Sequence, residues 1–203
     1  MAKSKDLEHI EKIFEESIAI KKQCVDQGLE SIVKIGKIAT SIILNGNKIM
    51  LCGNGGSAAD AQHLAAEMLI RLHSSRNREG IPAIALAQDT SSITACGNDF
   101  GFDKLYQRMV FTLGKGGDCL IAISTSGNSK NIILAMQAAQ KMGIKVFGFL
   151  GSNGGKAIKY CDEVFLVPSN DTGRIQETHI IAGHALMDYI EAQLLKVNHL
   201  HLQ

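Results

Sequence analysis

The chain has no C-x-x-C pair, no long apolar run, no excess of either charge and no internal repeat. Each absence narrows what it can be. Its five cysteines, Cys24, Cys52, Cys96, Cys119 and Cys161, are odd in number and scattered. That argues against a disulfide framework and suits a reducing cytoplasm, where a cysteine in or beside an apolar strand acts as a small hydrophobe. No segment reaches the ~20 apolar residues that span a bilayer. Met1-Ala2-Lys3-Ser4-Lys5-Asp6 leads into a charged helix without the apolar core of a signal peptide. A net charge of +1 argues against any strong commitment to nucleic acid or membrane surfaces. What remains is 203 residues, 45% hydrophobic and 20% charged, which is the size and composition of one globular domain spanning 1–203.

The apolar pattern changes period at about residue 45. Before it, Ile10, Ile13, Phe14 and Ile18, then Ile32, Ile35, Ile38 and Ile42, recur at helical spacing. Asp26-Gln27-Gly28 divides two helices and Asn45-Gly46-Asn47 ends the second. From 46 to 203 short apolar runs alternate with helical patterns. Strands are expected at Lys48–Cys52, Ala83–Ala87, Asp118–Ser124, Lys145–Leu150 and Glu163–Val167. Helices are expected at Ala58–Leu72, just before and over Phe102–Leu113, at Lys130–Met142 and at Gly173–Leu195. Continuous apolar strands joined by helical crossovers predict a five-stranded parallel sheet in a three-layer αβα sandwich, with the N-terminal helices added. Two apolar-faced helices exceed what one sheet face needs, so part of that surface is expected to meet another subunit. The charged loop His73–Gly80, with Arg76, Arg78 and Glu79, reads as a solvated turn, contact with a substrate phosphate being the alternative.

Two loops follow the first and third strands: Gly53-Asn54-Gly55-Gly56-Ser57 and Ser124-Thr125-Ser126-Gly127-Asn128-Ser129. A strand, a small polar loop and a helix present backbone N–H groups and a helix N-terminus to an anion. The second loop adds the hydroxyls of Ser124, Thr125, Ser126 and Ser129, each able to donate to a phosphate oxygen. Together they predict a phosphorylated small-molecule ligand. Gly53-x-Gly55-x-x-Ala58 also fits the dinucleotide fingerprint, but the nearest matching acid, Asp89, lies too far along the chain. Neither loop carries Gly-Lys-Ser/Thr, so a Walker-type nucleotide site is not expected.

His63 and Glu67 stand four residues apart on the expected helix after the first loop, on one of its faces. Gln176 and His184 lie eight residues apart on the closing helix, an offset of about 80° that lets both face one cleft. A carboxylate and an imidazole suit proton transfer between adjacent carbons of a sugar. The same four side chains form a plausible N/O metal shell, while an ordinary surface His–Glu pair is the competing reading. Asp188, one turn beyond His184, could orient its ring, and His179, His199 and His201 read as surface or tail residues.

Gly53-Asn-Gly-Gly-Ser-Ala-Ala-Asp-Ala-Gln-His63, Gly97-Asn-Asp-Phe-Gly101, Ser124-Thr-Ser-Gly-Asn-Ser129 and Arg174-Ile-Gln-Glu177 resemble the sugar isomerase (SIS) domain, and within it the phosphoheptose isomerases. The resemblance covers nearly the whole chain. It implies a flavodoxin-like sheet and an enzyme converting sedoheptulose 7-phosphate to D-glycero-D-manno-heptose 7-phosphate, towards bacterial lipopolysaccharide or capsule. It implies substrate contacts at Asn54, Gly55, Gly56, Glu67, Asn98, Asp99, Ser124, Thr125, Ser126, Ser129 and Gln176. His63, Glu67, Gln176 and His184 match the family's zinc ligands, and Glu67 and His184 match its acid–base pair. A cytoplasmic homotetramer with shared active sites is also implied. The loop Asn170-Asp171-Thr172-Gly173 departs from relatives that place an acid directly before the arginine. SIS domains also serve as non-catalytic sugar-phosphate sensors, and one relative binds the bacterial replication initiator; it lacks the equivalents of Glu67 and His184, which this chain has.

Overall fold

In the computed structural model, residues 4–86 and 89–200 are described. The chain opens with α1 (Lys5–Gln27) and α2 (Leu29–Leu44), which meet at Gly28. Ser4 caps α1 by accepting from the Leu7 amide at 3.3 Å, and Asp6 and Glu8 complement the helix dipole in the first turn. Then come β1 (Ile49–Gly53), α3 (Gly56–Leu69), β2 (Ala83–Ala85), α4 (Thr90–Asp99) and α5 (Leu105–Leu113), the last preceded by a 3-10 turn over Phe102–Lys104. The second half holds β3 (Cys119–Ser124), α6 (Lys130–Lys141), β4 (Lys145–Gly151), β5 (Glu163–Val167) and the long α7 (Thr172–Lys196). Ala87, the expected end of the second strand, lies outside the described residues.

All five strands are parallel, in the order β2-β1-β3-β4-β5. This is the doubly wound flavodoxin-like order, and its switch point falls between β1 and β3, where a crevice opens beyond the strand C-termini. Gly53 pairs with Ile123, so the loops leaving β1 and β3 start side by side.

Side chains alternate across the sheet and fill two separate cores. Ile49, Leu51, Cys119, Ile121, Ile123, Phe147 and Phe149 face one core, closed by α2, α3 and α7. Met50, Cys52, Leu120, Ala122, Val146 and Leu150 face the other, closed by α5 and α6. This is why the strands read as unbroken apolar runs. The strand cysteines behave as packing residues; burial pushes the Cys52 thiol up to about 12 and leaves little reactive thiolate.

Three expectations are corrected. His179 is not a surface residue: it is 1% exposed, on the face of α7 turned to the sheet, with its ring 5.9 Å from that of Phe149. Its place four residues after Ile175 and three before Ala182 puts it on the buried stripe of the helix. The 73–80 loop is not simply solvated, because Arg78 is 5% exposed and bound between α3 and α7. Asp188 orients a different histidine: its Oδ1 lies 2.7 Å from His73 Nε2 and accepts from Arg76 Nη1 at 2.7 Å. His199 is exposed, and His201 lies outside the described residues.

The outer stripe of α1 carries Leu7, Ile10, Phe14, Ile18 and Val25 largely uncovered, with Phe14 66% exposed. No helix among the described residues is long and apolar enough to cross a membrane.

Candidate active site

The crevice is walled by the two loops, and a pair of asparagines joins them. Asn54 Nδ2 donates to Asn131 Oδ1 and Asn131 Nδ2 donates to Asn54 Oδ1, both at 2.9 Å. Asn131, in the first turn of α6, is 3% exposed and was not among the expected site residues. Its only sequence signal is its place two residues after the hydroxyl-rich loop. On the other side, the buried Tyr106 hydroxyl donates to the Gly53 carbonyl. Burial pushes that phenol up to about 12, so it stays a donor.

Gly55 caps α3 at φ 56° and ψ −122°, a conformation suited to glycine, and the amides of Gly55 and Gly56 precede the first helical hydrogen bonds. Starting the helix at Gly56 rather than Ala58 puts those N–H groups at the crevice. Gly53 is needed for space: a Cβ there would overlap the Ser57 carbonyl and side chain. Gly53→Ala is expected to cost about 2 kcal/mol of stability and to displace Asn54, lowering activity. Thermal unfolding and steady-state kinetics check this, and an unchanged melting temperature would refute it.

The second loop uses its hydroxyls as acceptors inside the loop. Ser124 Oγ accepts from the Gly127 amide at 3.2 Å and Ser126 Oγ from the Asn128 amide at 3.1 Å. Each hydroxyl keeps its proton for an outward bond to an anion. Ser129 caps α6 by position without a side-chain hydrogen bond to the helix. Thr125 and Ser126 also line a polar cleft of about 300 Å³ with Asn128, Ser152, Asn153, Ser169 and Asn170. Ser152, Asn153, Ser169 and Asn170 follow β4 and β5; the signal that could have found them is their position just past strand C-termini. Asn98 and Asp99 end α4, exposed, with Asn98 Nδ2 donating to Asp99 Oδ1 at 2.8 Å.

Helices α3 and α7 run parallel and close. Gly56 lies against the Gln176 amide and Gly183 against Leu64, each so near that an added Cβ would come within 2.5 Å of its neighbour. This register sets His63 opposite His184. Their Nε2 atoms are 2.8 Å apart, and Glu67 Oε1 is 3.5 Å from His63 Nε2. The donor atoms of His63, Glu67 and His184 all lie within 4.8 Å of one another. Two Nε2 atoms so close cannot both carry protons, and a lone pair on each, with a carboxylate beside them, is a donor set for a divalent transition metal. Burial holds the His184 pKa below the ordinary histidine value, the neighbouring His63 pushes it the same way and Glu67 opposes both. Asp60, one turn before His63, keeps Oδ2 buried without a partner, and burial raises its pKa against the pull of His63.

Gln176 lies on the same helix as His184, nearer its start. Its amide rests on Gly56 at the start of α3, and eight residues separate it from His184, about 12 Å along the helix. One chain brings His63, Glu67 and His184 of the expected ligand set together.

Residues 12–151 match the model of the SIS domain family. The phosphoheptose isomerase of Aliarcobacter butzleri is 52% identical over 165 residues, covering 81% of this chain and 86% of that protein. Among solved structures, a phosphoheptose isomerase from Neisseria gonorrhoeae superposes with a TM-score of 0.86 at 41% identity, covering 92% of this chain and 98% of its own. One from Francisella tularensis gives 0.88 at 35% identity, with coverage of 93% and 100%.

Proposed function

The chain belongs to the phosphoheptose isomerases of the SIS domain family, and we propose on that premise that it converts sedoheptulose 7-phosphate to D-glycero-D-manno-heptose 7-phosphate. The reaction is an aldose–ketose isomerisation through an enediol, serving heptose synthesis for lipopolysaccharide or capsule. The observation that carries the reading is the convergence of His63, Glu67 and His184 on two helices locked side by side.

In this reading the loops hold the phosphate. Backbone N–H groups of Gly55 and Gly56 and the hydroxyls of Ser124, Thr125, Ser126 and Ser129 fix the far end of the substrate, and Asn54, Asn98, Asp99 and Gln176 contact the sugar. Fixing one end converts proton transfer at the other into an intramolecular event. The Glu67 carboxylate takes a proton from C1 of the ketose and returns it to C2. His184, its pKa held down, is a neutral base able to move the hydroxyl proton from O1 to O2. His63, Glu67, His184 and Gln176 would hold zinc, which supplies a Lewis acid for the sugar oxygens.

Active sites shared between subunits belong to this reading; along α7, Gln176 precedes His184 by about two turns. The uncovered stripe on α1 supports a homotetramer, and the scattered thiols support a cytoplasmic enzyme.

An NMR time course with sedoheptulose 7-phosphate in deuterated water, with and without a chelator, tests the proposal. The expected product is an aldoheptose 7-phosphate with deuterium at C2, formed more slowly after chelation and restored by zinc. Absence of turnover with zinc present would overturn it.

A further inference from the structure

The connection from α3 to β2 holds a cluster of charges outside the candidate site. Arg78 is at its centre, with a side chain 0% exposed. Its Nε donates to Glu191 Oε2 at 2.7 Å. Nη2 donates to the Glu67 carbonyl at 2.9 Å, and Nη1 to the carbonyls of Met68 at 2.8 Å, Ile70 at 3.3 Å and Glu79 at 2.9 Å. The final carbonyls of a helix have no partners within it, and a cation there is also favoured by the helix dipole. One guanidinium therefore closes the C-terminal turn of α3, including the peptide of Glu67 itself.

The anchor for that guanidinium is on α7. Glu191 is 1% exposed, and its second oxygen accepts from Arg76 Nη1 at 2.9 Å. Arg76 also reaches Asp188, which in turn meets His73. His184, Asp188 and Glu191 are spaced i, i+4, i+7 and lie on one face of α7. The face that sets His184 against His63 thus also sets Glu191 against Arg78, two turns further on.

We infer that Arg78, anchored by Glu191, is a positioning residue: it fixes the end of α3 to α7 so that the Glu67 carboxylate stands in register with His63 and His184. The inference rests on the assignment of Glu67 to proton transfer and metal binding. Lysine could not replace the arginine, because one ammonium cannot spread donors in a planar fork over four carbonyls and a carboxylate.

The test compares the 203-residue chain with its Arg78→Lys and Glu191→Gln variants. Three quantities are measured: kcat and KM for sedoheptulose 7-phosphate, Co²⁺ affinity and its visible spectrum by chelator competition, and thermal unfolding. In both variants kcat and Co²⁺ affinity are expected to fall roughly tenfold, with KM within about twofold of the parent and an altered Co²⁺ spectrum. Folded variants that keep parental kcat, Co²⁺ affinity and spectrum, with only a lower melting temperature, would make Arg78 a helix cap and overturn the inference. If Arg78→Lys does not fold, Glu191→Gln decides alone, since it keeps the acceptor's shape and removes its charge. A parent chain that binds Co²⁺ without isomerising the sugar would overturn the isomerase reading, and the Co²⁺ readouts would then judge Arg78 by themselves.

Discussion

Glu67→Gln lowers kcat by about three orders of magnitude, in the middle of the range for a positioned acid–base group. Glutamine keeps the size of the side chain but cannot accept a proton from carbon. The backbone of Glu67 is held independently by Arg78, so the α3 turn should not respond to the exchange. The side chain is 17% exposed and pairs with His63, itself half exposed, so folding stability should change little. A coupled assay for the aldose product, with melting temperatures measured in parallel, checks both parts. Activity above about a hundredth of the parent's would remove Glu67 from the proton-transfer role, since a general base contributes at least about a hundredfold.

The second large effect concerns stability in acid. Both ring nitrogens of His179 lack a hydrogen bond of normal geometry. Burial brings its pKa from 6.5 to about 4, against a weak pull from the Leu150 backbone towards the charged form. The unfolded chain therefore binds a proton at pH values where the folded chain does not. The stability that neutral His179 allows is complete above pH 6.5 and falls as the pH drops towards 4. The loss is on the order of 2–3 kcal/mol by pH 4.5 and grows little further below pH 4. Other groups titrate in this range, so the comparison is with His179→Leu, which has no proton to bind. Urea unfolding of both chains at pH 7.5 and 4.5 should show the smaller acid loss in the leucine chain. Equal losses would mean that His179 is hydrated or paired in solution.

These residues show where sequence reading stops. The strand runs, the helix breaks at Gly28 and Asn45, and both loops were legible because each is a local pattern with one physical meaning. His63 and Glu67 were legible as a pair because four residues on a helix bring side chains together whatever else the fold does. The meeting of His63 with His184 spans 121 residues and depends on the register of α3 against α7, which Gly56 and Gly183 permit. Arg78 was misread because a charge in a loop rich in charge is ordinarily solvated; here four carbonyls and a carboxylate replace its water. His179 was misread by residue type, although its position fell on the buried stripe. Asn131 and Gln176 needed the distances themselves.

The division of the interior into two cores has a consequence for how this chain can change. Odd-numbered and even-numbered residues along β1 and β3 meet different neighbours, and the sheet keeps the two sets apart. Substitutions without shared partners add in their effects, while those in contact couple. Variation in the core behind α5 and α6, apart from Tyr106 with its bond to Gly53, can therefore accumulate with little effect on the helices that bear His63, Glu67 and His184. Adjacent codons in one strand belong to two nearly independent mutational histories.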